Sequence, residues 1–132
     1  MIDSALMANR TNGLAKKRSV QRQSEGSKKR DVRAIVMTDS VLDHLVHLHV
    51  LPTDEKNKCN AISLNEFLEI LYTEYGFCID KSPAGLSISN ELLRTNRSIL
   101  EGRLRDLGLL IGVNDAESMK TLKPRFFSTA NR

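Results

Sequence analysis

The chain has 132 residues, of which 40% are hydrophobic, and its formal net charge is +4. These values are ordinary for one globular domain. No apolar run approaches the roughly 18 residues that a membrane-spanning helix needs, and the first ten residues contain no apolar stretch of a secretory signal. We therefore expect a cytoplasmic protein whose two cysteines, Cys59 and Cys78, are free thiols rather than a disulfide scaffold.

The charges are segregated along the chain. Residues 1–33 carry nine Lys or Arg against three Asp or Glu, residues 34–93 carry three against nine, and residues 94–132 carry eight against four. A polyanion would be attracted to the first and last segments and repelled by the middle one.

Residues 1–33 lack apolar periodicity and are rich in Lys, Arg, Ser and Gln. Such a segment buries too little apolar surface to offset its ordering entropy, so we expect a flexible, disordered basic tail. Its two basic clusters would contact phosphates, form a split nuclear-import signal in a eukaryote, or simply keep the chain soluble. The clusters consist of Lys16, Lys17, Arg18, Lys28, Lys29 and Arg30.

Two helices are predicted in the middle of the chain. In "MTDSVLDHLVHLHVLP" the apolar residues share one arc of a helix, which predicts a helix over 39–50 that ends before Pro52. A second helix is predicted over 64–75, because Ser63 and Glu66 have the spacing of a capping box. The alternating sequence "FCID" that follows predicts a short strand.

The last third of the chain predicts two more helices and a hairpin. "NELLRT" predicts a short helix capped by Ser89, and a tight turn separates it from a helix over 97–107. "LLIGVNDAESMKTLKPRFF" then predicts a β-hairpin over 109–127. Its returning strand, with Phe126 and Phe127, is expected to close the core.

The sequence "ISNELLRTNRSILEGRLRDLGLL" at 88–110 resembles the winged helix-turn-helix superfamily, in which a short helix and a recognition helix lead into a wing through a Leu-Gly-Leu step. The resemblance implies a mainly α fold with a small β-wing. The longer stretch 34–127 is also similar to the carboxy-terminal module of some large bacterial proteins. The winged-helix domain would span 34–128, with an extra helix 39–50, a helix 64–75, the helix-turn-helix 89–107 and the wing 109–127.

The resemblance implies that the helix over 97–107 enters the major groove of DNA. Its polar side and the returning strand would supply the contacts, although such side chains are equally normal on a solvated helix face. The wing tip carries Asp115 and Glu117, which would repel phosphates. The residues expected at DNA are Arg94, Asn96, Arg97, Ser98, Glu101, Arg105, Lys120, Lys123 and Arg125.

Structural roles are expected for a second set of residues. Arg103 projects among the apolar residues of its helix, so we expect it to pair with Glu69 or Glu74. The other structural positions are Ser63, Glu66 and Gly108. The apolar residues of the 97–107 helix expected to face the core are Ile99, Leu100, Leu104 and Leu107.

Metal binding and catalysis are not expected. His44, His47 and His49 with Cys59 suggest zinc, but the three rings cannot converge on one metal while their helix is intact. The sequence contains no phosphate-binding loop, dinucleotide fingerprint or hydrolase motif. We therefore expect no metal, no cofactor and no enzymatic activity of this chain alone.

Two functions remain open. The first is a DNA-binding module, either regulatory or an accessory part of a larger bacterial system, with double-stranded DNA as its partner. The second is a protein–protein interaction module of a multi-component assembly, whose acidic helices within 34–75 face a larger partner. The charge of residues 94–132 favours the first, and that of residues 34–93 favours the second.

Overall fold

The computed structural model describes residues 15–20, 30–51, 62–112 and 120–126. In these residues the chain forms three helices and five short strands, and the strands form one two-stranded and one three-stranded antiparallel sheet. The chain divides into two compact units, Met1–Leu42 and Asp43–Arg132. No helix formed by the described residues is long and apolar enough to span a bilayer.

The first unit contains a β-hairpin where the sequence predicts a flexible tail. Strands β1 (Ala15–Val20) and β2 (Arg30–Ile35) pair antiparallel, and the hydroxyl of Ser19 donates a hydrogen bond to Asp31 at 2.7 Å. The expectation rested on the lack of apolar residues to bury. The backbone groups of the two strands satisfy each other across the pair, so the ladder forms although the segment offers little apolar surface to bury.

Helix α1 (Asp39–Val50) has the bounds that the sequence predicts. The hydroxyl of Thr38 accepts a hydrogen bond from the backbone N–H of Val41 at 3.4 Å, which satisfies one of the free amides of the first turn. In the second unit the helix buries Leu45, Val46 and Val50.

Helix α2 (Leu64–Thr73) begins at the predicted capping box. The hydroxyl of Ser63 accepts a hydrogen bond from the backbone N–H of Glu66 at 3.2 Å, and a carboxylate oxygen of Glu66 accepts one from the backbone N–H of Ser63 at 2.8 Å. The helix ends two residues before the predicted position 75. Gly76 follows with φ 71°, a left-handed conformation that glycine adopts without a steric penalty.

Helix α3 (Asn90–Asp106) is continuous where the sequence predicts two helices and a turn, so the predicted helix-turn-helix within 89–107 is wrong. Ser89 caps its start as expected. At the position of the predicted turn, the hydroxyl of Thr95 donates to the carbonyl of Glu91 at 2.9 Å, within the same helix. A threonine bonded in this way does not interrupt the helical ladder.

The three-stranded sheet includes a strand that the sequence did not predict. Strands β4 (Leu110–Ile111) and β5 (Thr121–Leu122) form the expected hairpin, and β3 (Ile62–Ser63) pairs with the other edge of β5. The predicted strand over 77–80 is absent, since those residues form bends and irregular chain. Residues 113–119, which include the predicted acidic wing tip, lie outside the described residues.

The core of the second unit draws on all of its helices and on the three-stranded sheet. Helix α3 buries Leu93, Leu100 and Leu104, whose spacings of seven and four place them on one stripe. Ile99 was expected in this stripe but is 57% exposed, because it lies about 100° around the helix from Leu100. The other buried apolar residues include Leu64, Phe67, Leu68, Leu71, Leu109, Leu110 and Leu122.

The capping box predicts a specific pH dependence of stability. Hydrogen bonds from the backbone and side chain of Ser63 lower the pKa of Glu66 in the folded chain. A pKa that is lower in the folded chain than in the unfolded chain stabilises the fold at pH values above the ordinary pKa of about 4.3. This stabilisation is lost as the pH falls through the folded pKa. Glu66→Gln keeps the hydrogen-bonding shape but does not titrate. In urea unfolding at several pH values, wild type should exceed the variant in stability at pH 7, and the difference should shrink below about pH 4. A difference independent of pH would contradict this role.

Candidate functional site

One side of α3 carries arginines of the predicted DNA-contacting set that are exposed to solvent. Arg94, Ser98 and Arg105 are exposed and fall on one side of the helix, which we call the polar flank. Arg94 has no polar partner among the residues that the structure describes. Arg105 lies 3.7 Å from a carboxylate oxygen of Glu101, a loose contact at the protein surface. The polar flank is therefore the part of the predicted DNA-contacting set that faces solvent.

The side chain of Arg97 is half-buried and is bonded to residues of its own unit. Its Nη2 donates to the side-chain oxygen of Asn65 at 2.7 Å, and its Nη1 donates to Asp80 at 3.3 Å. Its Nε lies 3.5 Å from Glu101 on the next turn. These acceptors hold the guanidinium in place, and a contact of Arg97 with DNA stays a prediction. Asn96, also expected at DNA, is half-buried.

Glu101 lies at the centre of an ionic cluster. Its carboxylate accepts a hydrogen bond from Lys120 at 2.9 Å and also contacts Arg97 and Arg105. Lys120 is only 5% exposed, although it was expected at DNA. A buried ammonium group needs a nearby carboxylate to offset its lost hydration. We call Arg97, Glu101, Arg105 and Lys120 the Glu101 cluster. It links α3 to the residue that precedes β5.

A shallow cleft of about 270 Å³ opens at the first turns of α3. Leu93 supplies an apolar wall, and Arg94 and Arg97 supply positive charge. Asp80 and Asn90 complete the lining. The guanidinium of Arg94 thus borders a concave surface at one end of the polar flank.

The chain after β5 is attached to α1 by polar contacts. Both Nε and Nη2 of Arg125 lie 3.0 Å from oxygens of Asp43, which is the two-point geometry of a strong pair. The backbone N–H of Arg125 donates to Nε2 of His47 at 3.1 Å, and Nδ1 of His47 lies 2.8 Å from the carbonyl of Asp43. Arg125 is thus partly neutralised. Lys123 is exposed; its backbone N–H donates to the carbonyl of Leu109 at 2.9 Å, and its ammonium group has no polar partner among the described residues.

Phe126 does not close the core. Its side chain is 76% exposed, and its ring stacks on His47 with a centroid distance of 6.2 Å and an interplanar angle of 21°. The guanidinium of Arg125 lies 5.2 Å from the ring centroid. The sequence predicts a strand that includes Phe126, but β5 ends at Leu122 and the described residues that follow it are not in a strand. Phe127 lies outside the described residues.

The predicted partners of Arg103 make other contacts. Lys81 binds Glu69, and this hydrogen bond raises the pKa of Lys81. Glu74 lies 4.0 Å from His49. Arg103 is half-buried and has polar or electrostatic contacts of its own, so its structural role stays a prediction. Gly108 ends α3 with φ 69°.

The remaining candidates form no further site. His44 is exposed, and Nε2 of His49 lies 3.0 Å from the hydroxyl of Tyr75. No three His, Cys, Asp or Glu side chains converge on a metal position within the described part of the chain, which leaves out Cys59. In the basic segment, Lys16 is exposed on β1, and Lys28 and Lys29 lie outside the described residues.

The Glu101 cluster predicts an asymmetric effect of mutation. Glu101→Gln should cost about 3 kcal/mol of unfolding free energy, because it leaves the buried ammonium of Lys120 without its carboxylate. Lys120→Met should cost clearly less, since Glu101 keeps both arginines and the methionine fills similar space. Urea unfolding of the two variants tests this order. Equal costs, or a larger cost for Lys120→Met, would contradict the central position of Glu101.

Comparison with known proteins gives a family for the chain. No curated protein and no solved structure matches it. One family model, described as methylation-associated defense system protein MAD7, matches residues 1–126. Because the match includes both units as far as the last described residue, the chain belongs to the family of the methylation-associated defense system protein MAD7.

Proposed function

We propose that this protein is a DNA-binding accessory component of a multi-component bacterial defense system. It acts by binding rather than by catalysis, and the polar flank of α3 contacts the DNA. The description of the family supports membership of such a system. The observation that carries the DNA contact is the exposed Arg94, whose guanidinium has no partner within the described ranges and which lies on the same side of α3 as Ser98 and Arg105.

The order of the elements supports a winged-helix arrangement. Helices α2 and α3 precede the β4–β5 hairpin, and β5 lies between β3 and β4 in the sheet. In this arrangement α3 takes the position of the recognition helix, and α2 is the helix before it. The two helices of this helix-turn-helix thus differ from those that the sequence predicts, in which a short helix over 90–95 precedes the recognition helix.

The accessible charges determine the kind of contact that we propose. Arg94 and Arg105 can each bind a phosphate, and Ser98 can donate to a phosphate or a base edge. Arg97 and Lys120 are occupied by carboxylates of the same unit and contribute to the position of α3. We therefore propose backbone-dominated binding, to which the basic segment around β1 and β2 adds salt-sensitive affinity.

The duplex-binding test compares three forms of the full chain across a salt series. Arg94→Ala with Arg105→Ala should weaken binding to duplex DNA and reduce the slope of log K against log salt by about 2, one phosphate contact for each arginine. The matched control, Arg94→Lys with Arg105→Lys, keeps both charges and should keep most of the slope. Fluorescence anisotropy with a labelled duplex measures both quantities. An unchanged slope in the alanine variant would exclude the polar flank as the DNA contact.

A second candidate function rests on the other exposed side of α3. Leu92 is 51% exposed and Ile99 is 57% exposed, and a spacing of seven places them one above the other. Two adjacent apolar side chains on a helix can anchor a protein partner. This arrangement favours an interaction role within the same defense system.

Co-expression with other components of the defense system separates the two functions. If the apolar pair is the interface, Leu92→Ser with Ile99→Ser should abolish co-purification of a component, and the Arg94 and Arg105 alanine variant should retain it. Leu86→Ser is the matched control, because Leu86 is 65% exposed but lies outside α3. Equal retention by all variants would rule out this side of α3 as the interface.

A further inference from the structure

We propose that the exposed ring of Phe126 is a stacking platform for an unpaired nucleobase, with Lys123 and Arg125 at the neighbouring phosphates. The inference rests on the proposed function for nucleic acid as the partner. It adds an unpaired base as a feature that the protein recognises, at residues separate from the polar flank of α3.

The ring is held in a defined orientation. On one side it stacks on His47, and the preceding residue, Arg125, is fixed by two side-chain contacts to Asp43. The backbone N–H of Arg125 is bonded to the same histidine ring. An aromatic side chain fixed in this way loses little conformational freedom on binding, which favours contact with a ligand. Its exposure of 76% leaves ring surface available for a planar partner.

The surroundings of the ring suit a nucleotide better than an apolar protein segment. A histidine and an arginine contact the ring. The exposed ammonium of Lys123 lies three residues before the ring, so the two Cα atoms are at most about 10 Å apart. Arg125 uses two of its five N–H groups for Asp43, and the others can bind a phosphate. Binding of single strands typically combines such stacking with backbone cations.

The first experiment uses the absence of tryptophan from the chain. Phe126→Trp places the only indole of the protein on the platform and keeps a stacking surface. Titration of the full chain with an oligothymidine of about 12 nucleotides should quench its fluorescence, because a stacked base contacts the indole directly. An oligonucleotide that binds without quenching, or that does not bind, would overturn the proposal.

The second experiment measures affinity for the same oligothymidine by anisotropy. Phe126→Ala should weaken binding about 5- to 100-fold, and Phe126→Trp should bind as wild type does. Leu86→Ala removes another exposed apolar side chain and should leave the affinity unchanged. Equal affinities of wild type and Phe126→Ala would overturn the platform. The same result with loss of a co-purified defense component would show that the ring docks a protein instead.

The Arg94 and Arg105 alanine variant separates this inference from the proposed function. If that variant binds duplex DNA as wild type does, the α3 contact fails, while quenching of the tryptophan variant still supports the platform. If Phe126→Ala leaves the affinity for oligothymidine unchanged and the arginine variant loses duplex binding, the platform fails and the α3 contact stands.

Discussion

The carboxylate of Glu101 is the constraint on which the arrangement of the second unit depends. Lys120 is nearly buried, and its ammonium group would be strongly destabilising there without a counter-charge. Glu101 supplies that charge from the middle of α3, and the pair fixes the start of β5 against the helix. Because β5 is the central strand of the sheet, this one contact relates both β3 and β4 to α3. The same carboxylate also orients Arg97, which bridges to Asp80 and Asn65.

Glu101 and the other carboxylates of the second unit separate paired from accessible cations. Arg97, Lys120 and Arg125 each have a carboxylate of the same unit within 3.5 Å, and they mainly hold elements together. Arg94 and Lys123 have no such partner among the described residues, and Arg105 has only a loose one. The overall charge of +4 therefore does not describe what a polyanion meets on α3, where the accessible positive charge is confined to a few side chains.

Local signals in the sequence predicted local structure well, and the contacts between distant residues were not predictable. The capping box at Ser63 and Glu66, the helix over 39–50 and the hairpin after Gly108 all follow from residue type and spacing over a few positions. The predicted turn between two helices within 89–107 was wrong, because the hydroxyl of Thr95 bonds within the helix instead of capping a new one. The sequence predicts the site as a set of residues on the polar side of the helix over 97–107 and on the returning strand of the hairpin. Which of them face solvent depends on Asp80, Asn65 and Asp43, between 17 and 82 residues away from their partners, and no pattern in a single sequence encodes such pairings.

The central claim is that internal carboxylates, rather than helix position alone, decide which arginines of α3 can meet DNA. Side-chain Nε–H signals of arginine in ¹⁵N-labelled protein, recorded with and without duplex DNA, test it most directly. On addition of DNA we expect the Nε–H signals of Arg94 and Arg105 to shift, while that of Arg97, held at Asn65, Asp80 and Glu101, stays in place. A shift of the Arg97 signal with unchanged Arg94 and Arg105 signals would contradict it.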